Sequence, residues 1–471
     1  MKNILICATL QQRFLDQIIF AKNISNETNE FEIYFYVSDD VYSLHQDIVD
    51  RLEFKVINKP KKKQTYRKLH NIKYLIKEKI KNYLTIEQLN IVKRFVNTIK
   101  NSFLFTKRLI NQEQNILDNY EKKFTEVSQL VKEFNIEVLL INGDRHLGLE
   151  PVFLKISREL NIPSIIPYLV YFADEEIIFD SCDPTKKITP NILTSQYIID
   201  SQENLSYKTA RDTYYYPHFI GNALNKFGVL TNNPYVMGSG YSDILCLNNY
   251  YYKDLYLKYG LDESKIRVVG DGFYDHIYQQ YLNRDTIKKE TVKKYALDCN
   301  RKNLVVALPQ LAEHNELPWN KHWEEINFLM KNLDILNQNI LISLHPKMDE
   351  KNYKFLEKKY NCKILDERLA DVLPIADLFL ATYSSTVIWS VLCGINTIIV
   401  DFYDFNYTMY DFLDTVIKVE KKENLKNILE ISLIKDSDFS RDWKNLSKDS
   451  IFDGKTTQRY IDLIKNLNSI R

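Results

Sequence analysis

Glycine is scarce in this chain, with 11 among 471 residues, and cysteine is scattered. Cys7, Cys182, Cys246, Cys299, Cys362 and Cys393 form no C-x-x-C pair and no metal-ligand spacing, which excludes a zinc module or a disulfide framework as the organising element. Several of them sit in apolar strand or helix runs, where a reduced, buried thiol is the simplest reading. An excess of one charge is missing as well. Lys and Arg total 63 against 62 Asp and Glu, a net charge of +1, so nothing global points to nucleic acid. No uncharged apolar stretch approaches the roughly 20 residues of a membrane span. The opening Met1–Leu10 breaks into polar Gln11-Gln-Arg13 too early for a signal peptide. These absences lead us to expect a cytoplasmic protein. There is no internal repeat and no low-complexity linker.

What is present is core-forming material. Hydrophobic residues make up 45% and aromatics 13%, with 32 Tyr and 24 Phe. The length suits two α/β domains plus additional segments. Asn3–Ala8 and Phe31–Val37 read as buried strands around a helix at Phe14–Ile24, and a short strand follows at Phe54–Ile57. This is the start of a doubly wound domain.

The rhythm then breaks. From Lys59 to Arg108 there are fifteen Lys and Arg against two acidic residues, Glu78 and Glu87. Apolar residues recur among them at helical spacing (Leu69, Ile72, Leu75, Ile76, Ile80). The spacing predicts a basic amphipathic helical insertion within 59–135. Such a segment is either a solvated face folded onto its domain or an attachment to an anionic membrane surface or acidic glycan, where each basic residue adds roughly 1 kcal/mol.

Strands and helices resume at Phe124–Phe134 (helix), Val138–Ile141, Pro151–Leu160 (helix) and Ser164–Tyr168. A polar, Tyr-rich stretch (Ser181–Tyr216) precedes strand Asp243–Leu247, helix Tyr251–Tyr259 and strand Lys265–Val269. Ile277–Ala296 reads as one linking helix. A second strand series runs through Asn303–Leu308, Ile340–Leu344, Cys362–Leu365, Leu378–Ala381, Thr397–Val400 and Val416–Val419. The expected organisation is an N-terminal domain at 1–275, a linker at 276–302, a second domain at 303–440 and a helical segment at 441–471.

In such sheets ligands bind at the carboxyl ends of the strands, and the candidate residues cluster there. His345-Pro346 follows one strand, with Lys347 adding charge. Ser384-Ser385 opens the helical pattern Thr386–Cys393, whose hydroxyls and free N–H groups suit a phosphate; the same residues also serve as N-caps. Pro309–Glu316 contains Gln310, Glu313 and His314, all able to hydrogen-bond a sugar or phosphate. Asp401 and Asp404 could read ribose or sugar hydroxyls. In the N-terminal half, Asn142-Gly-Asp-Arg-His146 supplies Asp144 as the best general base, with Arg145 and His146 for anions, although Asn-Gly-Asp is also strong turn chemistry. Ala173-Asp-Glu-Glu176 offers further carboxylates. Gly270 and Gly272 allow a hinge or a close backbone approach, and Gly238-Ser-Gly240 reads as a plain loop.

Together these motifs resemble the GT-B superfamily, whose fold is two facing Rossmann-like doubly wound α/β domains; here the first would carry the basic helical insertion. Three branches compete. His345-Pro346 and Ser384-Ser385 are similar to the HP and SS motifs of bacterial sialyltransferases and Kdo transferases. That resemblance implies binding of the CMP part of a CMP-sugar, with Asp144 (or one of Asp174, Glu175 and Glu176) as acceptor base. Tyr383-Ser-Ser385 with Phe402-Tyr-Asp404 is similar to CDP-glycerol glycerophosphotransferases. Gly143-Asp-Arg145 and Val269-Gly-Asp271 look like hydrolysing UDP-N-acetylglucosamine 2-epimerases. Those enzymes carry acidic residues after the Ser-Gly-Gly helix start, where this chain has Thr386-Val-Ile-Trp389, a departure that counts against proton removal at a sugar ring.

The resemblance implies an inverting, metal-independent glycosyltransferase with no cofactor beyond its nucleotide-sugar donor, best a CMP-nonulosonate. Its acceptor would be a surface glycan or a lipid-linked glycan, and nucleic acid would not be a partner. Asp144 and His345 are the expected catalytic residues, and Gln310, Glu313, His314, His345, Pro346, Ser384, Ser385 and Asp404 the expected donor site. A peripheral position on an anionic membrane through 59–108 and a non-catalytic sugar-binding role are further alternatives.

Overall fold

The computed structural model describes residues 1–61, 103–145, 147–168, 216, 218–231, 233–234, 236–314, 316–345, 348–382, 384–403, 405 and 408–467. The chain divides into two compact units. The first holds Met1–Leu247, Lys253–Arg267 and Tyr460–Arg471; the second holds Asn248–Tyr252 and Val268–Arg459.

The first unit is built on β1 (Lys2–Ala8), β2 (Phe31–Val37), β3 (Lys55–Val56), β4 (Val138–Leu140), β5 (Ser164–Ile166), β6 (Ile244–Leu247) and β7 (Ile266–Val268), in the order β3-β2-β1-β4-β5-β6-β7. The pairs β1–β2, β1–β4, β2–β3, β4–β5 and β5–β6 are parallel. Ile4 sits between Ile33 and Val138 in register. Near-continuous apolar strands such as Ile4–Ala8 are what a parallel sheet covered on both faces requires, and those residues are buried.

The second unit has β8 (Asn303–Ala307), β9 (Asn339–Ser343), β10 (Cys362–Ile364), β11 (Leu378–Ala381), β12 (Asn396–Val400) and β13 (Val416–Val419), ordered β10-β9-β8-β11-β12-β13, all parallel. Val306, Ile342, Leu380 and Ile398 meet Met330 and Leu333 in its core. Each such side chain contributes roughly 1.5–3 kcal/mol by leaving water. In each sheet the strand order reverses once, between β1 and β4 and between β8 and β11. These switch points are where an open α/β sheet leaves room for a ligand.

Four segments differ from the sequence reading. The end of the expected insertion, Phe103–Glu133, is a 31-residue helix with Val127 and Val131 buried and Tyr120 against Phe227, ring centroids 5.3 Å apart. It is the crossover that parallel β3 and β4 need, so this part of the insertion belongs to the core. Residues 62–102, with most of the basic run, lie outside the described residues.

Helix His218–Phe227 follows the polar stretch Ser181–Tyr216, in a segment to which the sequence reading assigned no element. The single linking helix is two, Tyr274–Leu282 and Arg284–Tyr295, broken at Asn283, and both belong to the second unit. The final helix, Thr456–Lys465, is no separate segment. Asp275 caps it, accepting from the backbone N–H groups of Thr456 and Thr457 at 2.7 Å each, and from Tyr460 onward it belongs to the first unit. Among the described residues no helix is long and apolar enough to cross a membrane.

Candidate functional site

The carboxyl ends of β8, β9, β10 and β11 surround a cleft of about 520 Å³ in the second unit, at its switch point. Gln310 comes from the loop after β8, His345 from the end of β9, Arg368 from the loop after β10, and Ser384, Ser385 and Thr386 from the turn after β11. The strands are rigid because they are buried on both faces, so the side chains two to five residues past their ends start from fixed positions.

His345 sits in a tight turn. Its carbonyl accepts the Met348 N–H at 2.8 Å and its own N–H points at the Met348 sulfur at 3.3 Å. The His314 ring stands nearly perpendicular to the His345 ring, with centroids 5.9 Å apart.

The Ser384 turn departs from expectation. The helix it precedes spans only Val387–Leu392, too short for its dipole to carry much. The turn presents hydroxyls instead. Ser384 Oγ lies 2.7 Å from Thr386 Oγ1 and accepts the Thr386 N–H at 3.3 Å, while Tyr410 Oη donates to the Ser384 carbonyl at 2.6 Å. Ser385 is exposed.

The sequence reading missed Arg368, Thr386 and the anchoring of the wall they share. Glu367 accepts from Lys294 at 2.6 Å and from Tyr295. Tyr295 Oη in turn accepts the Asp366 N–H at 2.8 Å, and the Arg368 guanidinium lies 4.9 Å from the centre of the Phe273 ring. His276 Nε2 meets Asp371 Oδ1 at 2.6 Å. That hydrogen bond, more than any other influence, holds the Asp371 carboxyl below the ordinary aspartate range. A carboxyl lowered by folding contributes stability above its unfolded value and loses it as pH falls through the folded value. Asp371→Asn is therefore expected to remove about 0.5–1 kcal/mol at neutral pH and to flatten the loss of stability below about pH 4. Urea unfolding at pH 7 and pH 3 measures both; an identical difference between the two pH values in variant and wild type would discard the assignment.

Other expected site residues are placed elsewhere. Glu313 Oε1 accepts from Tyr353 Oη at 2.6 Å, and Tyr353 Oη lies 2.8 Å from Nε2 of the fully buried His322, so Glu313 serves a core network beside the cleft. Asp401 is buried and accepts the Phe405 N–H at 3.1 Å. Pro346, Lys347, Tyr383, Asp404, His146 and residues 173–176 lie outside the described residues. Trp389 turns its indole N–H to Asp271 at 3.2 Å.

Asp144 is 4% exposed and fully engaged. Its carboxylate accepts the Gly238 N–H at 3.0 Å, the Gly240 N–H at 2.7 Å and the Ser242 hydroxyl at 2.9 Å. The "plain loop" Gly238-Ser-Gly240 thus exists to wrap a carboxylate. Gly238 has φ +88°, and a Cβ at Gly240 would stand 2.9 Å from Asp144 Oδ2. A group with this many donors anchors a turn, and its geometry differs from that of a base open to an acceptor. Arg145 is buried too, its Nη1 3.4 Å from the Pro234 carbonyl.

No protein-family model matches the sequence, and a comparison with curated proteins finds no match. Solved structures do resemble it. UDP-GlcNAc 2-epimerase from Neisseria meningitidis bound to UDP-GlcNAc superposes with TM-score 0.53 at 11% identity, covering 99% of this chain and 100% of that one. UDP-GlcNAc 2-epimerase from Methanocaldococcus jannaschii gives TM-score 0.50 at 14% identity, covering 99% of each chain. The glycosyltransferase VinC in complex with DTDP gives 0.50 at 9% identity, covering 98% of each. At such identities the likeness establishes the fold: this chain has the two-domain α/β, GT-B-like architecture.

Proposed function

We propose that this protein acts on a nucleotide-activated sugar as an inverting glycosyltransferase, with a CMP-linked nonulosonate as the donor class and a glycan or lipid-linked acceptor. The observation that carries the reading is the convergence on one switch-point cleft of an imidazole (His345), an amide (Gln310), hydroxyls (Ser384, Ser385, Thr386) and a guanidinium (Arg368). Every one of these groups can donate hydrogen bonds to phosphate oxygens. Charge that builds on a leaving nucleotide phosphate is stabilised by donors already in place, which is where most of the acceleration in such a transfer arises.

The neighbours' ligands, UDP-GlcNAc and DTDP, are a nucleotide-sugar and a nucleoside diphosphate and agree with a nucleotide in the cleft. Transfer is favoured over epimerisation because positions 386–389 read Thr-Val-Ile-Trp, with the tryptophan committed to Asp271. The cleft carboxylate Glu367 is likewise held by Lys294 and Tyr295.

Thermal-shift titration with CMP, CDP, UDP and their sugar conjugates is expected to rank cytidine nucleotides first, followed by transfer from a CMP-sugar to an oligosaccharide acceptor. Release of N-acetylmannosamine from UDP-N-acetylglucosamine alone would replace this reading by epimerisation. We assign the basic segment 59–108 to attraction towards anionic lipid or acidic glycan. Liposome sedimentation that is unaffected by deleting it would discard that assignment.

A further inference from the structure

The first unit's own switch point carries a polar cluster that no role above accounts for. β1 and β4 end side by side, followed by Thr9 and Asn142. Gln17 Nε2 donates to Asn142 Oδ1 at 3.2 Å, which fixes the amide so that Asn142 Nδ2 faces the Cys7 carbonyl at 2.9 Å, Thr9 Oγ1 at 2.8 Å and Glu150 Oε1 at 3.2 Å. The Thr9 hydroxyl donates to Glu150 Oε1. Thr9 and Asn142 are partly exposed, whereas Gln17 (3%) and Glu150 (0%) lie buried behind them. Gly148 leaves the space for the glutamate, since a Cβ there would stand 3.1 Å from Oε2. Burying a carboxyl this completely is unfavourable, and a neutral amide would fill the same place more cheaply, so the acid calls for a functional reason.

Proton accounting supplies one. A threonine hydroxyl has one proton and two lone pairs. Thr9 gives its proton to Glu150 and receives Asn142, so one lone pair remains. We propose that Thr9 and Asn142 form the subsite for the acceptor sugar, that Thr9 Oγ1 accepts the hydrogen of its reacting hydroxyl, and that Glu150 is the positioning residue that keeps Thr9 in this accepting role. A hydroxyl bound this way keeps its own lone pairs free for attack. The proposal rests on the transferase reading above and concerns how the acceptor hydroxyl is bound and oriented, a contact that Asp144, held by its own donors, does not make.

Burial holds the Glu150 carboxyl above the ordinary glutamate range, opposed by the hydrogen bonds from Thr9 and Asn142. The titratable neighbours that feel its charge are the Cys7 thiol on β1, raised well above its usual range chiefly by burial, and the Tyr120 phenol on the Phe103–Glu133 helix, pushed up to about 12. Neither changes charge near neutrality. When Glu150 gains a proton as pH falls, it no longer needs the Thr9 hydrogen, and the subsite turns from accepting to donating.

The test compares wild type, Glu150→Gln, Thr9→Ser and Thr9→Val from pH 5.5 to 8.5, using the acceptor that supports transfer and reading acceptor KM, kcat and CMP affinity separately. Wild-type acceptor KM is expected to rise about tenfold towards low pH, the loss of one hydrogen bond. Glu150→Gln should show the raised KM at every pH with unchanged CMP affinity, Thr9→Ser should restore wild-type behaviour and Thr9→Val should not. A wild-type KM and pH dependence in Glu150→Gln overturns the proposal; should that variant fail to fold, the Ser and Val pair at position 9 decides it alone. If no donor supports transfer, the transferase reading fails, and ligand-observed NMR with a panel of free monosaccharides tests the subsite by itself. Saturation transfer lost in Thr9→Val and kept in Thr9→Ser sustains it; equal signals in all three proteins, or none in wild type, overturn it.

Discussion

Replacing His345 by alanine is expected to lower turnover roughly 10²–10³-fold, the effect of removing one well-aimed donor from a developing oxyanion, while thermal unfolding stays at its wild-type temperature. The two halves of this expectation come from different features. The imidazole lines the switch-point cleft, beside the hydroxyls of Ser384 and Ser385, where charge on a departing phosphate would build. Its backbone, not its ring, holds the 345–348 turn through Met348, and the residue is only partly buried, so truncation leaves no core cavity. The loss should fall on kcat more than on donor KM, because a donor aimed at the leaving oxygen is strongest in the transition state. Steady-state kinetics with the preferred donor measure this. A variant with wild-type kcat would remove His345 from the mechanism.

Asp144→Ala should act in the opposite way, on stability first. Three donors, two of them backbone N–H groups, lose their acceptor at a site 4% exposed. Leaving buried donors unpaired costs about 1–3 kcal/mol each when nothing replaces the acceptor; with partial rescue by water, roughly 3–5 kcal/mol for the three is expected. For a unit of this size that lowers the melting temperature by about 10 °C. Gly240→Ala should destabilise as well, because its methyl would meet the same carboxylate. A general base would show the reverse pattern in Asp144→Asn: a folded protein of normal melting temperature with turnover abolished. Differential scanning calorimetry alongside kinetics separates the two.

The strands were legible because parallel sheets buried on both faces demand apolar runs, and Leu378–Ala381 and Val416–Val419 coincide with their predicted limits. The grouping of His345, Ser384 and Gln310 around one switch-point cleft followed from the same logic, since all three stand just past strand ends. Roles were harder to read than places. Whether a carboxylate is open or wrapped depends on a loop some 95 residues away, as Asp144 and the Gly238–Ser242 turn show, and no local pattern encodes that pairing. Glu313 was drawn into a core network by Tyr353 for the same reason. Glu150 escaped notice because an acid beside Pro151 at a helix start is an ordinary first-turn residue until its burial is known.

The closing helix has a consequence for how the chain is made. Tyr460 meets Phe20 edge-on, ring centroids 4.8 Å apart, and its hydroxyl oxygen accepts the Tyr168 N–H, while the carbonyls of Ile464 and Lys465 accept from the Lys2 ammonium. Lys2, Phe20 and Tyr168 precede the bulk of the second unit in the chain, and Tyr460, Ile464 and Lys465 follow it. The main segment of the second unit, Val268–Arg459, is synthesised between them, which takes roughly 10–40 s at about 5–20 residues per second. Throughout that interval the nascent first unit must wait with the apolar surface around Phe20 uncovered, while the second unit is free to fold. Polypeptides arrested before residue 460 should therefore bind chaperones through the half that was translated first.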